Sequence, residues 1–187
     1  MLLNMITTLN SHVELLSLLW LFPIVFMFHD FEEILTVENW VKTNQEKVLS
    51  RVPVFVQNLL SDSFKMNTLH FSKDVFWIYT AIVLSTILAV FFSFYYLFLA
   101  FLFLFFIHGF THLGQAAWLR SYTPGVITTP LLVLPYSLYA YYRLLAEEVI
   151  SSRDIIISSL LMLGSLPFFL MLLKKGRAHY VNPKQKN

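Results

Sequence analysis

The sequence contains no cysteine, and this absence excludes several kinds of chemistry at once. Disulfides, thiolate metal sites, thiol nucleophiles and S-acylated membrane anchors all require a cysteine side chain. The chain also lacks a glycine-rich phosphate-binding loop, a serine nucleophile elbow and an internal repeat. A metal site in this chain must therefore be built from histidine and carboxylate side chains.

Charged residues are also scarce, at 13% of the 187 residues, whereas hydrophobic residues make up 57% and aromatic residues 17%. Phenylalanine occurs 19 times and is concentrated in runs such as FLFLFF at residues 101–106. A soluble fold of this size could not bury such runs continuously. The composition predicts an all-α, polytopic integral membrane helix bundle, with residues 1–187 forming a single membrane domain in the lipid bilayer.

Apolar segments long enough to cross about 30 Å of hydrocarbon define the predicted membrane spans. The second and third segments are joined almost without a polar break, so a tight turn is expected near Ser93. An arrangement with four spans is the alternative. The five predicted spans lie roughly at residues 13–35, 75–94, 95–118, 124–145 and 155–173.

Lysine and arginine residues set the predicted orientation. With five spans, only Arg143 and Arg153 of the 13 basic residues fall on one side, so the other side is cytoplasmic by the positive-inside rule. The amino terminus is then outside a cell membrane and the carboxyl terminus is cytoplasmic. Residues 36–74 form a cytoplasmic loop with a possible helix along the membrane surface. Residues 174–187 form a basic cytoplasmic tail. Because the basic residues of this tail serve as a topology signal, no nucleic-acid partner is expected.

Placing ionisable residues within a membrane span costs free energy, so such residues are expected to have a partner or a function. His29 lies three and four residues before Glu32 and Glu33, which places these side chains on one helical face. His108 and His112 form a second pair at four-residue spacing. Because both spans run from outside to inside, the two groups are expected to meet in the inner half of the bilayer. The fourth span begins at that face with the segment RSYTPGVITTP.

This set of residues matches the nitrogen and oxygen donors that Zn²⁺, Fe²⁺ or Mn²⁺ requires. Zn²⁺ is the favoured divalent metal, with His29, His108 and His112 as ligands. Glu33 serves as a ligand or as the catalytic base, and Glu32 serves as the other. Arg120 and Tyr122 are the remaining catalytic candidates, since they could hold an anionic head group or stabilise an oxyanion.

The sequence also resembles the HXXEE-domain family of small bacterial membrane proteins. The resemblance rests on His29, Glu32 and Glu33, on the later histidine pair, and on residues of the segment after the third span, namely Arg120, Tyr122, Pro124, Gly125 and Thr128. It covers the chain from the first span to the fourth. Because the function of that family is unknown, the resemblance implies a shared site and no particular reaction.

Three functions follow from these observations. The first is a membrane-embedded, metal-dependent hydrolase or transferase that acts on a lipid-like or amphipathic substrate. The second is a small cation- or proton-coupled transporter, and the third is a structural or regulatory subunit whose polar cluster fixes helix packing. The sequence leaves the substrate, the reaction and the oligomeric state open.

Glu147 and Glu148, with Arg143 and Arg153, indicate a solvated outer loop.

Overall fold

The computed structural model describes residue 8, residues 10–60, residue 64 and residues 67–181. Within this part of the chain every regular element is helical and no strand is present, as predicted. The side chains of residues 58–60, 170 and 173–181 lie outside the description. The elements are α1 (Leu15–Leu49), α2 (Val54–Leu60), α3 (Thr68–Phe92), α4 (Tyr95–Leu119), a π-helix (Thr129–Val133), α5 (Leu134–Ala146) and α6 (Ser152–Val181).

Among the residues that the structure describes, four helices are long and apolar enough to cross a membrane. They are α1, α3, α4 and the Ser152–Phe169 portion of α6. Large apolar side chains are exposed on their surfaces, with Leu35 at 79%, Phe91 at 69% and Leu160 at 62% of full exposure. Such surfaces fit contact with lipid. The fifth span and the orientation of the termini stay predictions.

The predicted fourth span has an unusual construction. A five-residue π-helix is followed directly by the 13-residue helix α5, and neither is among the four candidate spans. Pro130 and Pro135 lie at the starts of the two pieces. Since proline has no backbone N–H to donate, the hydrogen-bond register changes between them.

Helix α1 is longer than the first predicted span. Its 35 residues cover about 52 Å, more than the hydrocarbon core of a bilayer. Residues 36–49, predicted as loop, therefore continue this helix, and residues 68–74 belong to α3. The short helix α2 lies within the predicted surface segment, and its attachment to the membrane surface stays a prediction. Helix α6 continues to Val181, while residues 182–187 of the predicted tail lie outside the described residues.

The turn between α3 and α4 is tight, as expected. Helix α3 ends where Ser93 adopts a left-handed conformation with φ of 52°, and α4 begins at Tyr95. The backbone N–H of Phe94 donates to the carbonyl of Leu88 at 3.1 Å, which satisfies one carbonyl at the helix end. The two helices therefore run antiparallel with almost no loop.

An aromatic layer packs α1 against α4 and α5. The Phe22 ring lies 5.2 Å from Phe98, 5.7 Å from Phe105 and 5.9 Å from Tyr136, measured between ring centroids. Phe26 lies 5.6 Å from Phe105. These rings are almost fully buried. Part of the phenylalanine content thus forms a buried core next to the polar residues of α1 and α4.

Arg143 is buried, contrary to the solvated position expected from its sequence context. Its side chain is only 4% exposed, and it forms an ion pair with Glu147. The guanidinium donates to the carbonyl of Val13 at 2.8 Å and to the Tyr139 hydroxyl at 2.9 Å. An arginine near a predicted loop suggests a solvated side chain. The local sequence does not show that the carbonyl of Val13, which precedes α1, lies beside it. Arg143 therefore connects α5 by a hydrogen bond to the residues just before α1.

Replacing Arg143 with methionine is expected to destabilise the protein by about 2 kcal/mol, because charged hydrogen bonds between two chain segments are lost. The melting temperature in detergent measures this effect. Arg153→Met is the matched control, since Arg153 is exposed. Equal melting temperatures for the two variants would show that the Arg143 contacts contribute nothing to stability.

Candidate metal centre

Helix α1 directs its ionisable residues to different surroundings. His29 is fully buried, and Glu33, one turn later, is 8% exposed. Asp30 is also buried, at 5% exposure. Glu32 is turned away from Glu33 by about 100° of helical rotation, as expected for consecutive residues. The two motif carboxylates therefore have separate environments.

Helix α4 brings two further histidines to His29 and Glu33. The His108 and His112 rings are 4.2 Å apart between centroids, and their Nε2 atoms are 2.7 Å apart. The His29 ring lies 5.0 Å from His112 and 5.5 Å from His108. The predicted meeting of the two helices at one level is present in the structure.

Glu33 completes the group. One of its carboxylate oxygens lies 3.3 Å from His112 Nε2, and the other lies 3.9 Å from His108 Nε2. One donor atom from each of the four residues lies within 4.8 Å of the other three, so the group could hold a metal ion. We call His29, Glu33, His108 and His112 the His/Glu cluster.

The cluster is closed on most sides and open at His108. His112 is 4% exposed, whereas the His108 side chain is 40% exposed. Phe105 packs edge-on against His29 at 5.6 Å and extends the aromatic layer over the cluster. The cluster is therefore covered on the side of the aromatic layer and exposed at His108.

The segment after α4 turns back along α1. Arg51 donates to the carbonyl of Trp118 at 3.3 Å, and Lys47 donates to the Ser121 hydroxyl at 3.2 Å. Nearer the amino terminus of α1, the Trp40 indole donates to the carbonyl of Tyr122 at 2.7 Å. Residues 120–128, which we call the return loop, thus run antiparallel to α1 and reach the level of His29.

Glu32 anchors the end of the return loop. Its carboxylate accepts hydrogen bonds from the backbone N–H of Thr128 at 2.8 Å and of Ile127 at 3.3 Å. It also accepts from the hydroxyls of Thr128 at 2.6 Å and Tyr122 at 2.9 Å. Backbone N–H groups outside regular helices need other acceptors, and Glu32 provides them for Ile127 and Thr128.

Gly125 lies against the histidine rings. A Cβ atom at this position would be 2.8 Å from His112 Cε1 and 2.9 Å from His29 Cε1. The residue also has φ of +81°, a conformation that glycine adopts without strain. Gly125 therefore allows the return loop to approach both rings closely.

The predicted catalytic candidates have different positions. Tyr122 reaches Glu32, whereas Arg120 is exposed in the left-handed conformation that ends α4. Partial burial raises the pKa of Tyr122, and its hydrogen bond to the Glu32 carboxylate acts in the same direction. The phenol thus stays protonated and donates to Glu32 across the physiological range.

Two contributions to this site were not assigned from the sequence. Thr128 lies 2.7 Å from His29 Nδ1 through its hydroxyl, and Gly125 contacts the rings. The sequence placed the segment RSYTPGVITTP at the face where the two pairs meet, and the family resemblance included Gly125 and Thr128. Neither observation predicted the contacts of Thr128 and Gly125 with the histidine rings.

The fold and the cluster define a helical protein with several candidate membrane spans and a His/Glu group able to hold a metal ion. The sequence model of the HXXEE family, described as a protein of unknown function with HXXEE motif, matches residues 20–140. The chain belongs to this family, as the resemblance in its motifs suggested. No curated protein matches it. No solved structure matches it either.

Proposed function

We propose that the protein is a membrane-embedded, metal-dependent enzyme. The observation that carries this proposal is the convergence of four donor atoms within 4.8 Å, from two helices whose donor residues lie more than 70 positions apart in the chain. One of the buried donors, His29 Nε2, has no hydrogen-bond partner among the described residues. A buried polar atom without a partner is costly, and a metal ion would supply the missing interaction.

Zn²⁺ is the ion that best fits three imidazoles and one carboxylate, with Fe²⁺ and Mn²⁺ as alternatives. A divalent ion there supplies a Lewis acid that can polarise a carbonyl or phosphoryl oxygen. His29, Glu33 and His112 form the buried part of the ligand set. Three donors suffice for a catalytic Zn²⁺ site with an open position, and His108, the fourth donor, lies on the exposed side, where a reacting group can approach.

The surroundings favour a lipid-like or amphipathic substrate in the cell membrane. A groove of about 260 Å³ lies between α1 and the return loop. It is lined by apolar and hydrogen-bonding side chains, namely Leu35, Thr36, Asn39, Trp40, Thr43, Asn44 and Tyr122. The groove meets Glu32 at Tyr122, and the exposed Arg120 could attract an anionic head group. A hydrolase or transferase acting on such a head group is the reaction class that we propose.

Elemental analysis of detergent-purified protein tests the metal site. We expect about one divalent metal ion per chain in the wild type and loss of that metal in His29→Ala, because the fully buried donor is removed. His12→Ala is the control, since His12 is exposed and bonds to the Thr8 carbonyl. Wild-type protein without metal after purification and after Zn²⁺ addition would refute the proposal, as would equal metal in His29→Ala.

A second function, a cation- or proton-coupled carrier, is favoured by one observation. Asp30 is buried beside the cluster on α1, and its Oδ2 has no hydrogen-bond partner among the described residues. Intramembrane carboxylates often mark ion pathways. Substrate-dependent cation uptake into proteoliposomes, abolished by Glu33→Gln, would support the carrier over the enzyme.

A further inference from the structure

The Thr128 hydroxyl joins Glu32 to His29. Its oxygen lies 2.6 Å from Glu32 Oε2 and 2.7 Å from His29 Nδ1. The carbonyl of Gly125 is farther away, at 3.5 Å. Thr128 therefore lies between an α1 carboxylate that is outside the His/Glu cluster and an α1 imidazole that belongs to it.

The proton inventory of this chain fixes the direction of both hydrogen bonds. Both carboxylate oxygens of Glu32 accept from backbone N–H groups, which can only donate. An ionised carboxylate is an acceptor only, so Thr128 gives its single hydroxyl proton to Glu32. The hydroxyl oxygen must then accept from His29, and the His29 proton lies on Nδ1. The other ring nitrogen, Nε2, is left with a free lone pair.

We propose that Glu32 and Thr128 are positioning residues that select the Nδ1-protonated tautomer of His29. The tautomer directs the Nε2 lone pair into the interior, where this atom is buried and has no other partner. The inference also explains why the motif has two adjacent carboxylates. Glu33 faces the His/Glu cluster and serves as a donor, whereas Glu32 faces the return loop and orients His29.

The consequence for metal binding rests on the proposed function, but the tautomer itself does not. In metal sites, the second nitrogen of a ligand histidine is commonly held by such a partner, and loss of the partner typically weakens binding about 10–100-fold. The tautomer can be measured without any metal. The tautomer of His29 and its effect on metal binding can therefore be tested separately.

Nitrogen NMR of protein labelled with ¹⁵N-histidine measures the tautomer. The chain has six histidines, and comparison with His29→Ala identifies the His29 signals. Spectra are recorded in the presence of a chelator at about pH 8.5, above the ordinary imidazole pKa of about 6.5. We expect a protonated Nδ1 and an unprotonated Nε2 for His29 in the wild type.

Three substitutions separate positioning from packing. Thr128→Val keeps the shape but removes the hydroxyl, and we expect the Nδ1-protonated form of His29 to be lost. Thr128→Ser restores the hydroxyl and should restore the wild-type spectrum. Thr129→Val is the control, because the neighbouring hydroxyl donates to the Gly125 carbonyl at 2.7 Å and contacts no histidine nitrogen.

Zn²⁺ titration of the same variants completes the experiment. Thr128→Val should bind Zn²⁺ about 10–100-fold more weakly than the wild type, with recovery in Thr128→Ser. An Nε2-protonated His29 in the wild type, or an unchanged tautomer in Thr128→Val, would overturn the inference. The expected tautomers together with a wild type that binds no metal would uphold the positioning of His29 and refute the proposed enzyme.

Discussion

Gly125→Ala is expected to destabilise the protein by about 2–6 kcal/mol and to weaken metal binding at the His/Glu cluster. Two costs combine at this position. A non-glycine residue in the left-handed region costs about 1–3 kcal/mol, and the φ of Gly125 is +81°. Overpacking of a filled interior costs a further 1–3 kcal/mol, roughly. The melting temperature in detergent should fall by on the order of 10 °C.

The steric part of this cost is difficult to relieve. The added Cβ would lie 2.8 Å from His112 Cε1, 2.9 Å from His112 Nδ1 and 2.9 Å from His29 Cε1. His29 cannot rotate freely, because its Nδ1 is held by Thr128 and its ring packs against Phe105. Either the return loop moves away from α1 or the two rings leave their positions. Both outcomes disturb the His/Glu cluster.

Two other glycines provide matched controls for Gly125→Ala. A Cβ at Gly114 would meet nothing within 4 Å, so Gly114→Ala should leave stability unchanged or raise it by up to about 1 kcal/mol through helix propensity. A Cβ at Gly109 would lie 3.1 Å from Val133 and 3.2 Å from Thr129, so an intermediate loss is expected. If Gly125→Ala is as stable as Gly114→Ala, the close approach of the return loop is not required.

The sequence predicted the residues that meet, because their meeting depends on simple geometry. A helix rises about 1.5 Å per residue, so residues at equal distances from the ends of spans that run in the same direction lie at the same depth. The four- and three-residue spacings in α1 and α4 then placed the side chains on shared faces. His29, Glu33, His108 and His112 could be assigned to one group without knowledge of the return loop.

The return loop itself could not be predicted from local patterns. Its position depends on hydrogen bonds between distant residues, such as those from Thr128 and Tyr122 to Glu32. A dipeptide such as Pro124–Gly125 predicts a turn, but it does not specify the depth at which the turn packs. The interpretation of Glu32 as a ligand or base did not include the four hydrogen-bond donors that only the folded chain brings to its carboxylate.

The length of α1 was underestimated for a different reason. Membrane spans are identified by hydropathy, and the polar sequence after Leu35 was therefore assigned to a loop. The same residues are compatible with a helix that leaves the bilayer, with Lys42 pairing with Glu38 one turn earlier at 2.7 Å. Hydropathy located the end of the apolar segment and gave no information about the end of the helix. The extension matters because Trp40 and Lys47 hold the return loop.

The same substitution is expected to weaken Zn²⁺ binding much more at Glu33 than at Glu32. Glu33→Gln should weaken Zn²⁺ binding by more than about 100-fold, because the carboxylate within the His/Glu cluster is lost. Glu32→Gln should weaken it by less than about tenfold, since an amide oxygen can still accept from the Thr128 hydroxyl. Zn²⁺ affinity measured by competition with a chelator checks both values.

The histidines provide a second comparison within the same measurement. His112→Ala removes a buried donor that contacts Glu33 at 3.3 Å, and it should abolish stoichiometric binding. His108→Ala removes the exposed donor, which lies 3.9 Å from Glu33, and should retain one ion per chain at lower affinity. If Glu32→Gln abolishes binding while Glu33→Gln does not, then Glu32 is the ligand and Glu33 is the catalytic base. That result would require the return loop to release Glu32 from its four hydrogen bonds, which makes it the costlier arrangement.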